Sequence, residues 1–191
     1  LYKYHQCNMC WPDTVSCVTR AIRSPLGDAP RHKEYAARML DQPAPDFELP
    51  ATSGKTFRLS SAKGTNLVLY FYPKDNTPGC TREGEQFRDL YPQFRRLRCE
   101  VCGVSRDSVK SHESLKTKMN FPFELLSDGD ETACKLFDVI RLKNMYGRKV
   151  RGIERSTFVI DARGVVRREW RGVKVPDHGK EVLEFIKTLK Q

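Results

Sequence analysis

Of the residues in this chain able to do covalent or redox chemistry, Cys80 is set apart by what surrounds it. The run Leu67 to Tyr72 is made of strand-forming residues and ends in a turn, Pro73–Lys74–Asp75–Asn76–Thr77–Pro78–Gly79. A helical pattern opens immediately afterwards, so the sequence puts Cys80 in the first turn of a helix. There the backbone N–H groups have no intrahelical acceptor and the helix dipole is positive. Such a position favours a thiolate, the form of cysteine that acts as a nucleophile. The other reading is a small buried hydrophobe; the coincidence of strand end, turn and helix start favours the reactive one.

The neighbours of Cys80 fit an anion site. The hydroxyl of Thr77 can donate to a thiolate or to a bound oxygen, or it can simply bond its own turn. Pro73 ends the strand and shields the site from water. The backbone N–H groups of Gly79 and Cys80 can hold a developing negative oxygen. Glu83, about one helical turn beyond Cys80, is either a first-turn charge or an orienting partner for an arginine.

The segment Tyr70–Thr81, reading YFYPKDNTPGCT, resembles the active-site segment of the peroxiredoxins, in particular the bacterioferritin comigratory protein or peroxiredoxin Q subfamily of AhpC/TSA-like thiol peroxidases. Its pattern Pro-x-x-x-Thr/Ser-x-x-Cys is met by Pro73, Thr77 and Cys80. Two further segments lie in the right order, Cys102–Ser108 (CGVSRDS) and Gly152–Phe158 (GIERSTF). The resemblance runs from about Gln42 to the C-terminus. It implies a thioredoxin-like α/β fold, a mixed central β-sheet flanked by helices, and no cofactor. It also implies peroxidase chemistry on hydrogen peroxide and organic hydroperoxides through a sulfenic acid on Cys80, with Arg155 of GIERST beside that sulfur. Without the resemblance, Arg155 reads equally well as a charge at a strand edge. Lowering a cysteine from a pKa of about 8.5 to about 6 needs about 3.4 kcal/mol of preference for the anion, and a fixed guanidinium can supply much of it.

The sulfenic acid must be returned to the thiol. Many relatives resolve it with a second cysteine five positions on, here Glu85, or in the helix after the GVSRDS strand; Val109–Lys118 contains none. Cys134, at the start of a predicted helix, is the remaining candidate resolving thiol, against a reading as core. Cys99 and Cys102 lie three apart on one predicted strand, so their side chains face opposite sides and read as packing residues. The expected cycle uses one cysteine, with thioredoxin, glutaredoxin or glutathione as reductant. The alternative is a thiol-based redox sensor or holdase that uses the same cysteine without efficient turnover.

Length and composition allow this chemistry and exclude others. A chain of 191 residues is enough for one domain with a sizeable core. At 39% hydrophobic and 30% charged it fits a soluble globular protein, and no apolar run approaches the length of a membrane span. The net charge of +10 is spread along the chain without a cluster of arginines interleaved with aromatics, so it reads as solvated surface and not as a nucleic-acid site. An odd cysteine count with no secretory signal points to a reducing, cytoplasmic setting. The chain opens on Leu1, the mark of a fragment, a processed form or an uncertain start. The subfamily implies a monomer.

The elements that must hold the site follow from pattern. Residues 1–40 read as a poorly ordered N-terminal extension and 41–191 as the catalytic domain. Within the extension, Cys7, Cys10, Cys17 and His5 have the makings of half a zinc site, weighed against incidental thiols; its basic balance suits a targeting presequence, and Asp13, Asp28 and Glu34 argue against one. Asp41–Pro50 is an extended arm, Thr56–Leu59 a short strand, and Asn66–Tyr72 a central strand covered on both faces. A helix over Cys80–Leu97 carries an aromatic stripe that belongs to the core, and Pro92 should kink or restart it. Strands follow over Arg98–Val104 and Phe121–Leu126, with helices over Val109–Lys118 and near Glu131–Phe137. Val139–Val150 reads as irregular and basic. Arg155–Ile160 and Val165–Trp170 form a hairpin, and Asp177–Leu189 a closing helix.

Overall fold

The computed structural model describes residues 39–145 and 148–189. The expectations for Cys7, Cys10, Cys17 and His5 fall outside them. A five-stranded sheet forms the centre, in the order β5 (Glu124–Ser127), β4 (Cys99–Ser105), β3 (Asn66–Phe71), β8 (Ser156–Ile160), β9 (Val166–Arg171). Strand β4 runs parallel to β3 on one side and β8 antiparallel on the other, so the sheet is mixed as expected. Among the described residues four helices accompany it: α1 (Pro78–Arg96), α2 (Val109–Met119), α3 (Thr132–Leu136) and α4 (His178–Thr188). A small hairpin of β1 (Glu48–Pro50) and β2 (Thr56–Arg58) leads through a 3-10 turn, Leu59–Ala62, into β3.

The two-residue alternation of β3 divides the core. Val68, Tyr70 and Tyr72 face a cluster with Phe87 and Phe94 of α1, Leu115 of α2 and Val182, Leu183 and Ile186 of α4. Leu67, Leu69 and Phe71 face the other cluster, with Phe137, Ile153, Phe158 and Ile160. Each of these fully buried apolar side chains contributes about 1.5–3 kcal/mol by leaving water. Tyr70 stacks on Phe87 at 4.8 Å, which fixes the roll of α1 over the sheet. Gly84 allows the close approach of this helix: a Cβ there would sit inside the Phe121 ring.

Strand register decides which segments meet at the end of β3. Phe71, the last residue of that strand, lies opposite Ser156, the first of β8. The residue before β8 therefore emerges beside the end of β3, where the turn to α1 begins.

Several boundaries differ from the sequence reading. Helix α1 starts two residues early, at Pro78, because proline suits the first helical position, where its missing N–H costs nothing. Cys80 is thus the third helical residue. Pro92 does not end α1; it lies on the exposed face, where the carbonyl it leaves unbonded can be hydrated. Phe121–Phe123 is not strand. Pro122 cannot donate to a ladder, and the two phenylalanines stack at 5.1 Å within the core before β5 begins at Glu124. The stretch expected to be irregular is an antiparallel ribbon, β6 (Ile140–Met145) paired with β7 (Arg148–Ile153), separate from the central sheet. Its charged composition hides the strand signal; a two-stranded ribbon buries little and tolerates basic residues.

Candidate active site

The turn after β3 delivers the start of α1 to the sheet edge of the site. Thr77 has extended backbone, φ −94° and ψ 144°, and precedes Pro78 as the N-cap residue; its carbonyl accepts from the Thr81 N–H at 2.9 Å. Its side chain does not cap the helix. The hydroxyl donates instead to the Lys74 carbonyl at 3.1 Å. The first-turn N–H groups of Gly79 and Cys80 are therefore left without an acceptor from helix or cap, which suits them to an anion. Pro73 is half-buried beside the turn.

Cys80 is only 5% exposed, yet its sulfur is not surrounded by hydrocarbon. The Arg155 guanidinium donates from Nη2 to Cys80 Sγ at 3.2 Å. Arg155 is the residue just before β8, so the antiparallel register of β3 and β8 brings it 75 positions along the chain to this sulfur. Its Nη1 pairs with Glu83, one turn further along α1. Gly79 lies against the guanidinium: a Cβ there would be 3.4 Å from Nη2, in van der Waals contact. Burial works against the charge of Arg155, but the carboxylate of Glu83 and the sulfur of Cys80 outweigh it and raise its pKa.

Glu83 is almost fully buried, and one of its oxygens, Oε1, has no partner among the described residues. Burial pushes its pKa up to about 7, against the pull of Arg155. His178 of α4 is buried nearby and bonds Thr157 through Nε2 at 2.8 Å. Burial pushes it down to about 4, so it adds no second positive charge near Arg155 at neutral pH.

The structure gathers Cys80, Gly79, Glu83 and Arg155 at one point, with Thr77 and Pro73 in the adjoining turn. It does not gather Cys134. That side chain is fully buried among residues on the opposite face of the sheet from Cys80, and burial holds its thiol well above the usual range, with Asp128 adding to the effect. Cys134 is therefore not placed to meet the Cys80 sulfur, and its burial favours the core reading over the resolving one. Cys99 and Cys102 face opposite sides of the sheet, as the strand alternation implies, and burial pushes both up to about 12. All four described cysteines are free thiols. Among the described residues no group of His, Cys, Asp and Glu is arranged to hold a metal ion. A cleft of about 470 Å³ beside Asn66, Arg98 and Arg163 lies at the other end of β3 and contains no thiol.

One polar cluster by the site was not anticipated. Asp75, in the turn, accepts from the Tyr72 hydroxyl at 2.8 Å and the Ser111 hydroxyl at 2.6 Å, and meets His112 Nδ1 at 2.8 Å. Its backbone N–H donates to Asp107 at 2.8 Å. Asp75 is 5% and His112 0% exposed. Burial opposes the charge of Asp75, but the bonds from His112, Ser111 and Tyr72 hold the carboxyl below its usual range. The available signal was the spacing of His112 and Leu115 on the apolar side of α2; the turn composition concealed Asp75.

Comparison with known proteins agrees with this geometry. The model of the AhpC/TSA family matches residues 40–169. Peroxiredoxin Bcp of Xanthomonas campestris is 50% identical over 152 residues, 78% of this chain and 95% of that protein. Peroxiredoxin Bcp of Bacillus subtilis is 47% identical, covering 80% of this chain and 97% of that protein. A structure of the Xanthomonas bacterioferritin comigratory protein, studied for alkyl peroxide reduction, superposes with a TM-score of 0.72 at 50% identity, over 74% of this chain and 90% of that one. BcpB of Mycobacterium tuberculosis gives 0.71 at 32% identity, over 80% and 99%. With its thioredoxin-like fold and its thiol set against an arginine at a helix start, the chain belongs to the AhpC/TSA family, in the bacterioferritin comigratory protein and peroxiredoxin Q branch of the peroxiredoxins.

Proposed function

We propose that this chain is a thiol peroxidase that reduces hydroperoxides with Cys80 alone, and that residues 41–191 carry the activity. The observation that supports it most is the 3.2 Å contact from Arg155 Nη2 to Cys80 Sγ at the first turn of α1. The Cys80 thiolate attacks the terminal oxygen of a hydroperoxide. The S–O bond forms as the O–O bond breaks, and its electron pair leaves with the alkoxide or hydroxide, which takes up a proton. The sulfur is oxidised to sulfenic acid and the peroxide is reduced to alcohol or water. Arg155 and the N–H groups of Gly79 and Cys80 stabilise the charge as it passes from sulfur to oxygen. Thr77, released from the Lys74 carbonyl, donates to the peroxide, and Pro73 keeps water from the sulfur. Glu83 orients Arg155.

An external thiolate then attacks the Cys80 sulfur. The sulfenic oxygen leaves as water and a mixed disulfide forms; a second thiol releases Cys80. The three other described thiols are buried and protonated, which supports an external reductant. We assign this role to thioredoxin ahead of glutaredoxin or glutathione, acting on a monomer in a reducing, cytoplasmic setting. No helix among the described residues is long and apolar enough to cross a membrane. A relative studied for peroxide reduction favours turnover over a sensor or holdase.

Intact mass after one equivalent of hydrogen peroxide, with and without a sulfenate trap, tests this reading. The expected result is one trap adduct on Cys80 and no internal disulfide. A rapid bridge from Cys80 to any other cysteine, or an adduct elsewhere, overturns the one-cysteine cycle.

A further inference from the structure

We propose that Asp75 and His112 are positioning residues for the Cys80 turn; this rests on Cys80 being the peroxide-reacting thiol. The turn between β3 and α1 is held from two sides. From the residue just before β8, Arg155 reaches Glu83 and Cys80. From α2, a buried fork grips Asp75, five residues before the sulfur. The Leu126 carbonyl can only accept, so His112 Nε2, at 3.2 Å, carries a proton toward it. His112 Nδ1 then faces Asp75 Oδ2 at 2.8 Å with one proton shared across the contact. The Ser111 hydroxyl donates to the same oxygen and the Tyr72 hydroxyl to the other. Asp107, itself held by the Ser105 hydroxyl, takes the backbone N–H of Asp75.

Both oxygens of the Asp75 carboxylate are thus met by side chains of α2 or of Tyr72, the residue just after β3. The turn it belongs to carries Thr77 and Pro78, so its position sets where α1 begins and where the free N–H groups of Gly79 and Cys80 point. Nothing in this cluster touches Cys80, so it acts through geometry. Misplacing a reacting group by about 1 Å can cost about 100-fold in rate.

The test compares Asp75→Ala, His112→Phe, the double variant and Asp75→Asn, each checked for folding by near-ultraviolet circular dichroism. An asparagine can turn its amide toward a neutral His112 Nδ1 and Ser111 and its oxygen toward Tyr72, keeping the fork without the charge. The expected result is a loss of about 10- to 100-fold in the second-order rate of Cys80 oxidation by hydrogen peroxide for each disrupting variant, with the double variant no worse than the singles. Asp75→Asn stays within about threefold of the parent, and reduction of the Cys80 sulfenate by dithiothreitol is not slowed in any variant. If Asp75→Ala fails to fold, Ser111→Ala, which removes a single donor, is expected to lower the peroxide rate by about two- to fivefold. Unchanged peroxide rates in folded Asp75→Ala, His112→Phe or Ser111→Ala, additive losses in the double variant, or equal slowing of both steps would reduce the cluster to packing and overturn the proposal. If the parent protein consumes no peroxide through Cys80, the functional reading fails instead, a result distinct from any of these.

Discussion

Cys80 and Cys102 are equally hidden, each 5% exposed, and they sit on opposite faces of the same sheet. Cys102 lies inside β4, with β3 and β5 on either side, so its backbone groups are committed to ladders and its side chain meets hydrocarbon. Burial pushes its thiol up to about 12, and the charge of Glu124 adds to that. Cys80 lies where a strand has ended and a helix has just begun, next to uncommitted N–H groups and a guanidinium 3.2 Å away. Exposure does not separate a reactive thiol from an inert one in this protein. The separation comes from whether the thiol's surroundings offer donors that are not already spent on secondary structure.

Removing the guanidinium breaks that contrast most severely. Arg155→Met keeps much of the side-chain volume and leaves Cys80 beside hydrocarbon, as Cys102 is. The rate of Cys80 oxidation by hydrogen peroxide is expected to fall about 100- to 1,000-fold, as for loss of a charge-stabilising donor at other sites where an anion develops. Stopped-flow measurement of peroxide consumption and the alkylation rate of Cys80 at pH 7 both read this. A variant that keeps the parent rates would show that helix start and turn suffice without Arg155.

Glu83→Gln sharpens the comparison by leaving the guanidinium but loosening its aim. A roughly tenfold loss in peroxide rate is expected, since Nη1 loses its charged partner. Stability supplies the second readout. The Glu83 carboxyl is raised in the fold to about 7 from its ordinary 4.5. The folded chain therefore holds a proton that the unfolded chain releases, and this contribution is complete below about pH 4.5 and lost as pH rises through about 7. Urea titrations should show the parent losing on the order of 3 kcal/mol relative to Glu83→Gln between those limits. A pH-independent difference would mean that Arg155 keeps the carboxylate ionised throughout.

How far the sequence reveals all this depends on the range of each interaction. The helix start at Cys80 is legible because a strand run, a turn and Pro78 are adjacent. The central strand is legible from its apolar run, and the opposing faces of Cys99 and Cys102 from strand alternation. The meeting of Arg155 with Cys80 is not, since it depends on β8 being antiparallel to β3 and on a register that only packing fixes; the family resemblance alone points to it. The Asp75–His112 contact joins a turn to the far side of a helix, and each residue taken singly looks ordinary. The β6–β7 ribbon is missed because basic composition outweighs its alternation. Whether Cys134 is core or a resolving thiol is open in the sequence for the same reason that Asp75 is hidden: a helix-start signal says nothing about which face of the sheet the helix covers.

The smallest expected effect lies on the inert side of the comparison. Cys102→Ala and Cys134→Ala should leave the peroxide rate of Cys80 within about twofold, because neither sulfur has a donor that would hold it as an anion and Cys134 packs across the sheet from the site. Each should cost about 1 kcal/mol or somewhat more in stability, since a small buried side chain is shortened in a packed core. Alkylation adds a kinetic check. In the folded parent a small alkylating reagent at pH 8 should modify Cys80 first among the four described cysteines, while Cys99, Cys102 and Cys134 react only as the chain unfolds, with rates that follow urea concentration. If Cys102 reacted in the native state as quickly as Cys80, the donors around Cys80 would not be what distinguishes it.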